Sequence, residues 1–239
     1  MKYDDWHILR FEELASTNDE AQKYCRKPGY LTAVKAKRQT AGRGRLGRKW
    51  LSYEGNLFCS LVLEFELQAL GQLVLVSALS VLETVKELAP AANVQLKWPN
   101  DVLLNGAKVC GMLLEKGAGD YMIVGIGVNI VKAPDRAETL YPATALADCG
   151  IRTTADAFLE RCLHKLTENM QILEREGIAP LRRKWLNNAK NVGKEITVRQ
   201  DNREIKGIFA GLDDSGNLLL QQENAIKTIL AGDVFYDEK

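Results

Sequence analysis

The sequence predicts an α+β protein in which a sheet-and-helix domain is followed by a small C-terminal β-barrel. Two long helical patterns, at 70–88 and 154–176, are interspersed with runs of strand-forming sequence. The last fifty residues differ, because short alternating strands there are separated by tight turns, a pattern typical of a small barrel. The change of pattern near 188–192 predicts a first domain over 1–190 and a second over 191–239.

Periodicity and turn signals assign the elements in chain order. We expect strands at 6–14, 31–37, 56–66, 101–104, 107–115, 121–130, 192–200, 204–212, 217–222 and 225–230, and helices at 17–25, 70–88, 144–149, 154–176 and 178–189. Pro90 ends the second helix, and Pro99 holds the preceding residue extended, so a further strand ends at Lys97-Trp98. Asn105-Gly106 between two apolar runs predicts a hairpin.

Composition excludes several classes of protein. An apolar fraction of 46% and a charged fraction of 26% are typical of a soluble globular protein. The uncharged run at 67–82 is too short and too polar to span a bilayer, and the N-terminus has no apolar signal core, so we expect a cytoplasmic protein without membrane attachment. Five scattered cysteines and two histidines argue against a disulfide framework, a zinc site and a Ser-His or Cys-His mechanism.

The loop at 39–50 is the most unusual stretch of the chain. Seven Lys and Arg residues lie between Lys35 and Lys49 with no Asp or Glu, although the whole chain has a net charge of only +1. Glycine and arginine together predict a flexible clamp for an anionic small molecule. The spacing Gly42-x-Gly44-x-x-Gly47 matches a dinucleotide fingerprint, but a strand follows instead of a helix, and no Walker lysine is present.

Other polar residues allow a structural and a functional interpretation. Thr17-x-x-Glu20 fits a capping box, and the same helix start would also offer hydroxyls and N–H groups to a polar ligand. Asp101 suits either a salt bridge or a Mg²⁺ ligand, and Lys108 either a solvated sheet face or a site. Trp50 either stacks on a ligand or anchors the loop. Together these parts favour phosphoryl or nucleotidyl transfer, which needs positioning and charge neutralisation more than a protein nucleophile.

Five motifs in order give the chain a family resemblance. They are Ser16-Thr17-Asn18, Gln39 with Gly42-Arg43-Gly44-Arg45-x-Gly47-Arg48-x-Trp50, Lys97-Trp98-Pro99-Asn100-Asp101, Lys108-x-x-Gly111 and Gly125-x-Gly127-x-Asn129. Each motif alone is weak, but together they resemble biotin protein ligases over nearly the whole chain. The resemblance implies a mixed β-sheet catalytic domain flanked by helices, of the class II synthetase-like, biotin–lipoate ligase type, with an SH3-like C-terminal barrel.

The same resemblance implies a two-step reaction. The biotin carboxylate attacks the α-phosphate of Mg-ATP, and a lysine of the biotin carboxyl carrier protein domain of a carboxylase then attacks the biotinyl-5′-AMP. Carried over by position, the catalytic residues are Lys108 and Arg45, and Asp101 is the candidate ligand for Mg²⁺. The implied biotin-binding residues are Ser16, Thr17, Asn18, Gln39, Gly42, Arg43, Gly44, Arg45, Lys108 and Gly111. The implied ATP- and adenylate-binding residues are Arg45, Arg48, Trp50, Asn100 and Asn129.

Two other functions are compatible with parts of the sequence. A lipoate or octanoate protein ligase shares the fold type, although the loop and the Lys-Trp-Pro-Asn-Asp motif together favour biotin. A nucleic-acid-binding module would use the basic loop, but the remainder of the chain is net acidic. Only fifteen residues precede Ser16, too few for the helix-turn-helix domain of some family members, so we expect no direct DNA binding. An unpaired sheet edge would support a homodimer.

Overall fold

A computed structural model describes residues 5–25, 31–65, 70–200, 203–223 and 225–236. The strands are β1 (Trp6–Leu14), β2 (Leu31–Gln39), β3 (Leu57–Glu64), β4 (Val94–Lys97), β5 (Asp101–Leu104), β6 (Ala107–Lys116), β7 (Tyr121–Val128), β8 (Glu195–Gln200), β9 (Arg203–Leu212), β10 (Leu218–Gln222), β11 (Ala225–Ile229) and β12 (Asp233–Phe235). The helices are α1 (Thr17–Ala21), α2 (Leu70–Leu88), α3 (Ala155–Glu176) and α4 (Ala179–Asn187).

The first seven strands form one mixed sheet in the order β1-β2-β3-β7-β6-β5-β4. The β1–β2 pair is parallel, and the other neighbours are antiparallel. Asn105 and Gly106, with φ of 51° and 83°, form the tight turn between β5 and β6. Left-handed φ at both central residues is what a type I′ hairpin turn needs, so the hairpin prediction is confirmed.

The sheet has two differently covered faces. Side chains alternate along each strand, so neighbours such as Val124 and Ile123 point to opposite sides. Val124 joins the large core under α2 and α3, whereas Ile123 joins a smaller cluster under α1 with Val34 and Val62. The candidate site lies on the α1 side of the sheet. Helices α2 and α3 cover the other side, where most of the apolar core is buried, and so they do not obstruct the site.

The last five strands form a second antiparallel sheet, in the order β11-β10-β9-β8-β12, which we call the C-terminal barrel. Its turn at 213–216 packs against the first turn of α2, where a Cβ added to Gly71 would lie 2.1 Å from the Ser215 carbonyl oxygen. The Trp98 indole N–H donates to the Gly216 carbonyl at 3.0 Å. The barrel therefore contacts both the main helix layer and the turn that follows β4.

The α+β architecture is confirmed, with local differences from the sequence predictions. Ser16 caps α1 by accepting from the Asp19 N–H, so the prediction that Thr17 caps the helix is wrong. The predicted helix at 144–149 is only a 3₁₀ turn over Ala147–Cys149. Strand β12 was not predicted, because three residues are too few for periodicity to reveal. Glu66, the predicted end of β3, lies outside the described residues.

Candidate active site

A cavity of about 700 Å³ opens on the α1 side of the main sheet. It gathers nearly all of the residues that the sequence predicts for the site. They are Ser16, Thr17, Asn18, Gln39, Arg43, Gly44, Arg45, Arg48, Trp50, Asn100, Asp101, Lys108, Gly111 and Asn129. Gly42 is the exception and supports the loop instead, since its carbonyl accepts from the Trp50 N–H and an added Cβ would lie 2.7 Å from the Trp50 carbonyl oxygen.

Glycines on β6 and β7 allow neighbouring side chains to lie directly against the floor of this cavity. A Cβ at Gly125 would lie 2.5 Å from Asn18 Oδ1, and one at Gly127 would lie 2.3 Å from Cε2 of the Trp50 ring. Gly111 pairs with Gly127 across the two strands and also approaches Trp50. Strand glycines therefore mark the close approach of side chains from α1 and from the basic loop.

A buried polar network fixes one end of the cavity. The Thr17 N–H and hydroxyl both donate to Gln39 Oε1, at 2.8 Å and 3.1 Å. With its oxygen occupied, Gln39 turns its Nε2 donor to the other side, beside Gly42. Residues from α1 and from the end of β2 thus present preoriented hydrogen-bonding groups to a polar ligand.

Two residues outside the predicted set orient Asn18. Its Nδ2 donates to Glu115 Oε2 at 2.7 Å, and its Oδ1 accepts from the buried Ser60 hydroxyl at 2.5 Å. Arg43 forms a two-pronged pair with Asp19, at 2.8 Å and 2.7 Å, and also contacts Glu115. The Arg43 guanidinium holds the pKa of the Asp19 carboxyl below its ordinary value. Nothing in the local sequence around Ser60 or Glu115 distinguishes them from ordinary strand residues.

The arginines of the basic loop reach toward the C-terminal barrel. Arg45 donates to Asn100 Oδ1 at 3.2 Å and to the Gly232 carbonyl at 3.2 Å, and Arg48 forms an ion pair with Asp233. Burial lowers the pKa of Arg45, whereas the hydrogen bond with Asp233 raises the pKa of Arg48. Asp233 lines the cavity although no sequence pattern marks it, because only tertiary packing of the barrel brings it here.

Lys108 lies beside the loop tryptophan and an acidic residue. Its Nζ is 2.6 Å from Asp101 Oδ1 and 5.5 Å from the Trp50 ring centroid. An ammonium between a carboxylate and an indole face is held in one place, ready to receive a second anionic group. The Trp50 Nε1 is buried without a hydrogen-bond partner among the described residues.

The remaining predicted residues support the cavity wall. Asn100, from the turn after β4, donates to the Met112 carbonyl and accepts from Arg45. Asn129, just after β7, donates to the Thr144 carbonyl at 3.2 Å. Lys97 and Tyr141 also line the cavity, although they were not among the predicted binding residues. Burial lowers the pKa of Lys97 to about 8 and raises that of Tyr141.

The site offers no protein-built metal cage. Within the described residues, no group of three or more His, Cys, Asp or Glu side chains is placed to hold a metal ion. Mg²⁺ commonly needs only one or two carboxylates when phosphate oxygens supply the other ligands. Asp101 is therefore suited only to a Mg²⁺ ion whose other ligands are phosphate oxygens. One of its own oxygens is already engaged by Lys108.

Two sequence profiles match the chain. The profile of the biotin/lipoate A/B protein ligase family matches residues 12–129, and that of the biotin protein ligase C-terminal domain matches residues 192–236. These two matches cover both the part that builds most of the cavity and the barrel that supplies Asp233.

Similar proteins and structures point the same way. The chain is 39% identical to a biotin–[acetyl-CoA-carboxylase] ligase of Paracoccus denitrificans, covering 92% of this chain and 97% of that protein. It is 33% identical to the bifunctional ligase/repressor BirA of Bacillus subtilis, covering 95% of this chain and 73% of that protein. A biotin protein ligase from Aquifex aeolicus, solved with biotin and ATP, superposes with a TM-score of 0.84 at 35% identity, covering 96% of this chain and 97% of that one.

Proposed function

Because the chain belongs to the biotin/lipoate A/B protein ligase family, we propose that it activates biotin with ATP and attaches it to a protein lysine. The observation that carries this proposal is a single cavity that joins a preoriented amide-and-hydroxyl end to a strongly cationic end. The polar ring system of biotin matches the amide-and-hydroxyl end of the cavity, and its carboxylate matches the cationic end. The acceptor lysine belongs to the biotin carboxyl carrier protein domain of a carboxylase.

Binding of biotin uses the α1 end of the cavity. Ser16, Thr17, Asn18 and Gln39 hydrogen-bond its polar ring, and Arg43 and Gly44 close the loop beside it. Gly42 keeps its supporting contact with Trp50. Gly111 lines the pocket and lets the Lys108 side chain and the Trp50 ring lie close against the strand, where the biotin carboxylate reaches Lys108.

Formation of the adenylate takes place at the cationic end. A biotin carboxylate oxygen attacks the α-phosphorus, the bond to the bridging oxygen breaks, and its electron pair leaves on pyrophosphate. Lys108 neutralises the negative charge that accumulates on the α-phosphate oxygens, which is the main requirement of such transfers, and Arg45 holds the phosphate of the adenylate that forms. Arg48, Trp50, Asn100 and Asn129 hold the nucleotide. Asp101 would be the candidate protein ligand for a Mg²⁺ ion bound with ATP, and the ion would supply positive charge to the phosphates.

Transfer of biotin completes the reaction. The acceptor amine attacks the acyl carbon of biotinyl-5′-AMP, AMP leaves with the electron pair of the acyl–oxygen bond, and the amine loses a proton. Loop 39–50 shields the anhydride from water until the carrier domain arrives. We also propose the domain division at 190/191, residence in the cytoplasm, and a homodimer formed through an unpaired edge of the sheet. No helix in the described ranges is long and apolar enough to cross a membrane.

Biotin-dependent exchange of radiolabelled pyrophosphate into ATP tests the proposed function. Purified protein should catalyse exchange with biotin and transfer biotin to a carrier-domain lysine, while lipoate and octanoate should support neither reaction. Exchange that depends on lipoate or octanoate instead would identify the related acyl ligase. The absence of exchange with all three acids, together with strongly salt-dependent binding to DNA, would favour the nucleic-acid module.

A further inference from the structure

Lys97 is a buried cation that lies against aromatic rings. It ends β4, is 5% exposed, and lines the cavity. Its ammonium lies 3.2 Å from the Tyr141 ring centroid and 5.4 Å from the Tyr236 ring centroid. In the part of the chain that the structure describes, no residue forms an ion pair or hydrogen bond with it. A buried ammonium that has only aromatic faces beside it needs an anion to offset its lost hydration.

The nearby carboxylates are already engaged by other cations. Asp101 pairs with Lys97 across β4 and β5, but its side chain contacts Lys108 Nζ at 2.6 Å. Asp233, on β12, forms an ion pair with Arg48. With Arg45, this part of the cavity wall therefore sets four cations against two carboxylates. The excess of positive charge fits a ligand with several anionic oxygens better than a single carboxylate.

We propose that Lys97 binds the β- and γ-phosphates of ATP and the pyrophosphate that leaves, an assignment that rests on the proposed function. When the bond between the α-phosphorus and the bridging oxygen breaks, the electron pair moves onto pyrophosphate. The Lys97 ammonium donates a hydrogen bond to the oxygen that gains this charge and keeps its own proton. Lys108, by contrast, serves the biotin carboxylate and the α-phosphate, both of which remain in the adenylate.

This division of roles gives Lys97 a kinetic signature. Biotinyl-5′-AMP has no β- or γ-phosphate, so Lys97 contributes to adenylate formation and to its reversal by pyrophosphate but not to transfer. The Lys97→Met variant keeps the aliphatic stem under Tyr141 and removes the charge. We expect its KM values for ATP and for pyrophosphate to rise roughly ten- to a hundredfold, as for a lost charge-assisted hydrogen bond. Biotin affinity and transfer from added biotinyl-5′-AMP should stay within about twofold of wild type.

Two further variants control this experiment. Lys97→Arg keeps the charge and should recover most of the pyrophosphate response. Lys116→Met makes the same substitution at an exposed lysine at the far end of β6 and should leave every constant unchanged. Wild-type KM values for ATP and pyrophosphate in Lys97→Met would overturn the inference. So would a transfer step from added adenylate that is slowed as much as the exchange reaction.

A measurement on the wild-type protein remains decisive if the variant does not fold. Reductive methylation followed by mass spectrometry reports how accessible each lysine amine is. Inorganic pyrophosphate should protect Lys97 at least several-fold and leave Lys116 unaffected, and unchanged labelling of Lys97 would overturn the assignment. Failure of the proposed function has a different signature, because wild-type protein would then show no biotin-dependent exchange at all.

Discussion

Lys108 and Arg45 carry positive charge into the same cavity but through different contacts. Lys108 is held by Asp101 on the β5–β6 hairpin, whereas Arg45 spans from the loop to Asn100 and the barrel backbone. A lysine fixed on a hairpin is placed to act during bond formation. An arginine on a loop that encloses the ligand is placed to retain the product. The two residues should therefore affect different steps of the reaction.

Alanine variants of these two residues separate the steps. Lys108→Ala should slow adenylate formation by roughly a hundredfold or more, the usual effect of removing one preorganised charge donor. Arg45→Ala should form the adenylate but release it roughly tenfold faster, because a charge-assisted contact to the phosphate is lost. Single-turnover experiments with labelled biotin measure both the rate at which biotinyl-5′-AMP forms and the rate at which it is released. Wild-type rates of formation in Lys108→Ala together with wild-type retention in Arg45→Ala would show that the roles are wrong.

We expect the basic loop to be the element whose order depends most on a bound ligand. Backbone hydrogen bonds join Gly44 to Arg48 and Trp50 to Gly42, and side-chain ion pairs provide the other anchors. Four like charges within the loop, on Arg43, Arg45, Arg48 and Lys49, oppose this compact form, and an anion would relieve their repulsion.

Hydrogen exchange tests this property of the loop. Amides at 43–49 should exchange quickly in the free protein and several-fold more slowly with biotin and ATP bound. Amides of β3 provide an internal control and should keep the same protection in both samples, because they lie in the centre of the sheet. Loop amides that exchange equally slowly with and without the ligands would contradict ligand-dependent ordering.

The elements differ in how far the sequence predicts them. Helix α2 was predicted over 70–88 because Pro90 and a long apolar pattern mark it. The hairpin between β5 and β6 was predicted from the turn residues Asn105-Gly106 alone. Such signals are local. Asp233 and Tyr141, in contrast, enter the cavity from segments without a local pattern. Long-range packing decides their position, so reasoning from sequence missed them while finding most of the cavity through its motifs.

At the scale of the whole molecule, the barrel supplies Asp233 to the cavity and also supports the turn that carries Asn100. Trp98 donates to Gly216 of the barrel and directly precedes Pro99 and Asn100, which line the cavity. The barrel turn is held on α2 by the Gln72 side chain, which donates to the Asp214 carbonyl at 2.7 Å, and on α4 by an ion pair between Arg182 and Asp214. Displacing this turn should therefore disturb nucleotide binding without a change to any residue of the site.

The Gly71→Ala variant tests this coupling. A Cβ at Gly71 would lie 2.1 Å from the Ser215 carbonyl oxygen, so the barrel turn has to move, at a cost of about 1–3 kcal/mol in the free energy of unfolding. The KM for ATP in pyrophosphate exchange should rise several-fold, and Gln72→Ala should show a smaller effect in the same direction.

Gly150→Ala is the matched control, because its φ of 77° makes alanine unfavourable there while an added Cβ meets no neighbour within 4 Å. If urea unfolding shows that Gly71→Ala and Gly150→Ala are equally destabilised, but only Gly71→Ala binds ATP more weakly, docking of the barrel positions the cavity wall. Equal KM values for ATP in Gly71→Ala and Gly150→Ala would show that the contact between the barrel and α2 contributes to stability and not to ATP binding.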